Sequence, residues 1–135
     1  MMQVYFTNSF ISLQYDKQAQ LGKAVWRGSL RGPELREAFL LCLEMIDRFT
    51  LTRWLADDRL MLSIAPADLE WSMKLFVPRL AGSSILRFAR LPSNSESNRR
   101  DVEFMIKKGQ SPDLVVQLRD FATEAEAMDW LMELP

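Results

Sequence analysis

Apolar runs at residues 3–6, 10–15 and 20–26, broken by the polar stretch Asp16-Lys17-Gln18, predict three strands near the start of the chain. Ile11, Leu13 and Tyr15 alternate with polar neighbours, and Leu21, Ala24 and Trp26 follow less regularly, so the second and third strands predict a hairpin with one buried face. Gly32-Pro33-Glu34 then supplies a helix start, because proline suits the first helical position and glutamate favours the positive end of the helix dipole. Leu35, Phe39, Cys42, Ile46 and Phe49 recur every three or four residues and form one stripe, predicting a helix to about Phe49 that packs on a sheet.

Residues 52–56 predict a strand with an acidic turn, Asp57-Asp58-Arg59, at its carboxyl end. Pro66 opens the next helix, which carries Asp68 and Glu70 in its first turns, a stripe of Leu69, Met73, Phe76 and Leu80, and an end near Gly82. Residues 84–91 are strand-like, Pro92 stops them, and the string SNSESN at 93–98 has the composition of a mobile loop. A helix over 99–108 closing at Gly109, a strand over 114–118 and a helix over 123–134 complete the pattern. Thr123 with Glu126 forms a capping box at the start of the last helix. Strands separated by helices of this length call for right-handed crossovers and a mainly parallel sheet, to which the early hairpin adds an antiparallel part.

The 135 residues suit a single domain with one core, and nothing in the pattern suggests a repeat or an internal linker. Seventeen basic against eighteen acidic residues leave no global field for nucleic acid. The single cysteine, Cys42, excludes an internal disulfide and suits a reducing, cytoplasmic setting. The N-terminus lacks the features of a secretory signal, and no stretch approaches the ~20 apolar residues of a membrane span.

The chemistry is bounded as much by what is missing. There is no histidine, hence no triad built on one and no ordinary zinc site, and the five glycines form neither a dinucleotide nor a triphosphate loop. No cofactor and no metal are expected, and carboxylates without a paired partner argue against an enzyme. Asp57, Asp58 and Arg59 lie where α/β sheets bind ligands, outside the carboxyl end of a strand; the alternative is a solvated turn with a surface ion pair. Ser63 precedes a helix, where a phosphate would meet free backbone N–H groups, or it is a plain loop hydroxyl. Cys42, on an apolar stripe, reads as an inert core thiol.

Trp71 and Leu75 sit beside the main stripe of their helix and form either a second apolar face for a partner or a wider core contact, an ambiguity repeated by Trp130 and Leu134. Between Arg79 and Lys108, seven basic residues (Arg79, Arg87, Arg90, Arg99, Arg100, Lys107 and Lys108) face three acidic ones, a local excess that reads as solvated surface or an anion site.

Three strings, VWRGSLRGPELREAF, RWLADDRLMLSIAPADLEW and FATEAEAMDWL, resemble the small bacterial STAS-like proteins often labelled STAS/SEC14, related in fold to anti-sigma-factor antagonists. The resemblance runs from about Phe10 to Leu134 and rests on structural punctuation, with no catalytic signature. It implies a mixed, mainly parallel sheet with an N-terminal antiparallel hairpin, covered by about four helices. It also implies a non-enzymatic module that binds proteins or small ligands. The phosphorylatable DSSG-like turn of the better-known antagonists is absent: the turn reads ADDRLMLSIAP, with Ser63 an approximate positional substitute and Ala65 where relatives favour a serine cap. SEC14-like domains enclose lipids in an apolar cavity, and this chain is short for a long lipid.

The expectation is therefore a cytoplasmic interaction module or homodimer working through Trp71 and Leu75, its edge shaped by Asp57-Asp58-Arg59. The alternative is a carrier of a small anionic or lipid-like ligand near that acidic turn and the basic segment after Arg79.

Overall fold

A computed structural model describes residues 1–109 and 116–133. The chain opens with an antiparallel meander, β1 (Gln3–Thr7), β2 (Ile11–Asp16) and β3 (Leu21–Gly28). Short polar side chains close its turns: Asn8 Oδ1 accepts from the N–H groups of Phe10 and Ile11, and Asp16 Oδ1 accepts from that of Ala19. From β3 onward every connection is a helical crossover: α1 (Pro33–Phe49) leads to β4 (Arg53–Met61). The segment α2 (Pro66–Trp71), a π-helical turn (Ser72–Phe76) and α3 (Val77–Ala81) leads to β5 (Arg87–Leu91), and α4 (Glu96–Gly109) leads to β6 (Gln117–Asp120). The sheet order is β1-β2-β3-β4-β5-β6, with β3 to β6 parallel.

Because each parallel strand is added on the same side as the one before, right-handed crossovers send α1 to α4 to one face of the sheet. The final helix, α5 (Glu124–Met132), crosses to the other face. Strand alternation fills the two layers. Trp54, Ala56 and Phe88 join Leu35, Phe39, Ile46, Phe76 and Met105 in the larger core, while Leu55, Ala89 and Leu91 meet Ala127, Trp130 and Leu131 of α5. Trp130 is thereby a core residue, and Thr123 caps α5 as expected, its hydroxyl accepting from the Glu126 N–H at 3.2 Å. Leu134 lies outside the described residues.

Asp68 is nearly fully buried in the first turn of α2 and takes bonds from the Gly32 N–H at 2.9 Å and Arg36 Nε at 3.3 Å. It therefore ties the start of α1 to α2, satisfying an N–H that α1 has no capping side chain to meet.

Four sequence expectations are corrected. Asp57-Asp58-Arg59 is no turn: β4 runs on through Met61, paired with both neighbours as far as Asp57, then bulging and following β3 alone. Three polar residues sit in a strand because Asp57 and Arg59 share one face and bond each other while Asp58 enters the other. The helix after Pro66 is not uniform. Pro78 has no N–H to donate within the helix, and the turn before it widens so that the Val77 N–H donates to the Ser72 carbonyl.

SNSESN is no open loop. Ser93 and Asn98 are buried, donating to the carbonyls of Met61 (2.6 Å) and Leu62 (2.7 Å), and α4 begins within the string at Glu96. Residue types that favour loops also favour helix starts. Finally, the strand expected over 84–91 starts at Arg87, and that expected over 114–118 is observed as β6 to Asp120, with Leu114 and Val115 outside the described residues.

Gly22 on β3 faces Trp54 across the pair β3–β4, and a Cβ there would lie 2.5 Å from Trp54 Cζ3 and 2.9 Å from Leu51 Cδ1. The indole is held in the core, so the added methyl forces a rearrangement. Gly22→Ala is expected to lower stability by about 1–3 kcal/mol, read as a lower urea midpoint with an unchanged slope.

Candidate functional site

On the helix-covered face, β4 presents Trp54, Ala56 and Asp58, with Phe88 and Arg90 of β5 beside them and Leu118 and Asp120 of β6 beyond. Phe39 and Cys42 of α1, Phe76 of the π turn, Leu80 of α3 and Met105 of α4 close over these strands. They do not fill the space: a cavity of about 70 Å³ remains between sheet and helices. At about 10–15 Å³ of such volume per water, it has room for roughly five water-sized groups. An open groove of about 440 Å³ between α4 and β6 shares Phe88, Arg90, Ile106 and Leu118 with the cavity.

Asp58 is the informative residue on this wall. It is 5% exposed, and no hydrogen-bond donor among the described residues reaches its carboxyl. Burial pushes the carboxyl up to about 7, against the pull of Arg90 and with the push of Asp57 and Asp120. Arg90, equally buried, is engaged elsewhere: its Nε and Nη2 meet Asp120 at 3.0 and 2.7 Å, and Nη2 lies 3.6 Å from Glu103. Burial also pushes the Cys42 thiol up, and Asp58 adds to the shift, so the thiol is the unreactive core group expected.

Asp57, the preceding residue, has the opposite environment. On the α5 side of the sheet it accepts from Arg59 Nε (2.9 Å), Nη2 (2.8 Å) and backbone N–H (3.2 Å). Burial works against its ionisation, but Arg59 outweighs burial and holds the carboxyl below its ordinary range. The three sequence candidates at 57–59 are thus divided, with Asp58 on the cavity and Asp57 and Arg59 satisfying each other on the opposite face.

The remaining candidates lie away from the cavity wall. Ser63 is exposed in the segment between β4 and α2, whose cap residue Ala65 offers no side-chain bond. Trp71 is half-buried, its ring stacked at 6.3 Å on Phe39 and covered by the Arg36 guanidinium at 5.6 Å. Leu75, in the π turn, is 45% exposed.

The seven basic residues between Arg79 and Lys108 form no single patch. Arg87 donates to the Trp130 carbonyl, Arg99 to that of Ser93, Arg100 pairs with Glu96, and Arg90 is buried. The rings of Phe39 and Phe76 are cavity residues that the sequence presents only as core stripe, and Arg90 is legible there only as one of the seven basic residues. The available signal is Arg90 itself, a charge set between the core residues Phe88, Ala89 and Leu91.

No family model and no curated protein matches the chain. Among solved structures it is similar to an uncharacterised protein of the DUF3478 family from Shewanella loihica PV-4, with 14% identity over 97% of this chain and 92% of that one and a TM-score of 0.50. That protein is described as having a SpoIIAA-like fold, and the likeness is one of fold. The antiparallel start, the three parallel crossovers and the helix layer above them are accordingly those of a SpoIIAA-like, or STAS, fold.

Proposed function

We propose that this protein is a non-catalytic binding module of the STAS-like type, and that the space between its sheet and helix layer takes a small, mainly apolar molecule bearing one polar group. The observation that carries this reading is the Asp58 carboxyl, buried on the cavity wall with no donor among the described residues. A buried polar group without a partner costs ~1–3 kcal/mol or more, and a bound molecule or water that supplies the partner offsets that cost. Native mass spectrometry of protein purified gently from its own host tests the reading. A stoichiometric small extra mass, lost on unfolding, is expected; a bare chain that no small-molecule panel stabilises thermally removes it.

Leu75 supports a second reading, a cytoplasmic partner-binding or homodimeric module. It is an exposed leucine on the segment whose next residue, Phe76, lines the cavity, and Trp71 lies one turn before it. The clean test is Leu75→Lys, since Trp71 packs against the core and its replacement would unsettle the fold. Leu75→Lys is expected to reduce self-association in sedimentation experiments while shifting stability by less than about 0.5 kcal/mol. Unchanged association at every concentration discards this reading. No helix among the described residues is long and apolar enough to cross a membrane.

A further inference from the structure

The walls of the cavity say more about its occupant than its size does. Five aromatic rings surround it, those of Trp26, Phe39, Trp54, Phe76 and Phe88, and ring faces attract cations. The charges agree. Arg90 is paired twice, by Asp120 in two bonds and by Glu103 at 3.6 Å, so its field favours the ionised form of Asp58 from a distance but gives that carboxylate no ion-pair partner among the described residues. A carboxylate ligand would meet a third acidic group there, whereas a cation would neutralise it. Lys107 and Arg119 on the outer groove are solvent-exposed, so their fields are screened before they reach the interior. Among the described residues no three Asp, Glu, Cys or His side chains converge to hold a metal ion, and the aromatic walls offer no oxygen ligands.

We propose that the cavity is a site for a small organic cation, a primary alkylammonium no longer than about a butyl chain, with the ammonium on the Asp58 carboxylate and the alkyl tail among the aromatic rings. This rests on the binding-module reading and specifies the chemical class of its ligand. The expected ligand is thereby cationic, in place of the anionic one that the basic residue count suggested or the lipid-like one that the SEC14-like resemblance implied.

The test uses three probes of matched size, n-butylamine, n-butanol and propionate, titrated at pH 8 against the intact chain and against Asp58→Asn. Intrinsic fluorescence is the readout, because Trp26 and Trp54 line the cavity. The expected result is a saturable change with n-butylamine, weaker binding of n-butanol and none of propionate. Asp58→Asn is expected to weaken the amine at least tenfold while leaving n-butanol within about twofold. Propionate binding as well as the amine, or Asp58→Asn leaving the amine unaffected, overturns the cation assignment, and n-butanol binding in that case leaves the binding-module reading standing. Failure of all three probes removes both.

Discussion

Phe39→Ala is expected to lower the unfolding free energy by about 3–5 kcal/mol, the range for deleting a buried phenylalanine ring. Phe39 is 4% exposed and stands at the centre of a cluster of rings. Phe76 stacks on it at 4.1 Å and 15°, Trp26 meets it edge-on at 5.0 Å, and Trp71 lies parallel at 6.3 Å. Removing the ring opens new volume beside a cavity of about 70 Å³ that the same neighbours already leave unfilled. Their failure to close the existing space argues that they will not close the larger one. At ~24 cal/mol per Å³ of retained void, the loss should fall toward the upper end of the range.

Urea unfolding of the variant, with Phe104→Ala as control, checks this. Phe104 is 47% exposed, so its loss should change stability by well under half as much. A loss below about 1 kcal/mol for Phe39→Ala would mean that the helix layer collapses onto the sheet, and that the cavity is not a property of the fold.

Asp58→Asn is expected to stabilise the protein above neutral pH and to do far less in mild acid. The folded carboxyl titrates near 7, while an unfolded aspartate titrates near 4. Between those values the folded protein holds a proton that the unfolded chain has released, so the Asp58 contribution to stability falls as pH rises through that window and levels off above it. By linkage the total is on the order of 3–4 kcal/mol, since each pKa unit corresponds to about 1.4 kcal/mol.

Burial sets this value first; among charged neighbours Arg90 favours the ionised form and Asp57 and Asp120 oppose it, with Cys42 facing Asp58 from α1. An asparagine imitates the protonated acid at every pH. The stability difference between Asp58→Asn and the parent should therefore be below about 1 kcal/mol at pH 4.5 and should open to a few kcal/mol in favour of the variant at pH 8. Asp57 contributes with the opposite sign, since its pKa is depressed and its stabilisation disappears as pH falls, but it is present in both proteins and cancels from the difference. A difference that stays constant across the range would place Asp58 in contact with solvent.

Much of the architecture is legible in the order of residues. The apolar stripe from Leu35 to Ile46, the Gly32-Pro33 start and the Thr123 cap are local signals whose meaning depends on neighbours three or four residues away, and each holds in the fold. Where local signals are ambiguous, they mislead. Asp57-Asp58-Arg59 has the composition of a turn, and only the pairing of β4 with β3 through to Met61, joined by β5 as far as Asp57, keeps it extended. SNSESN has the composition of a loop, and only the carbonyls of Met61 and Leu62, more than thirty residues earlier, turn it into an anchored helix start.

By itself, then, the amino-acid order determined the sequence of strands and helices, though not all their bounds, together with the alternation of faces along each strand and the absence of histidine-based chemistry, because those depend on residue type and short spacing. The tertiary structure alone decided which of two adjacent aspartates is satisfied and which is exposed to the cavity. Strand geometry sends Asp57 and Asp58 to opposite faces, where Asp57 meets Arg59 two residues on and Asp58 meets side chains from distant segments. Arg59 outweighs burial and stabilises the charge of one, while Phe39, Phe76 and Met105 remove water from the other and leave its carboxyl without a partner among the described residues. Desolvation depends on what the rest of the chain places around a group, and no local pattern in the sequence encodes it.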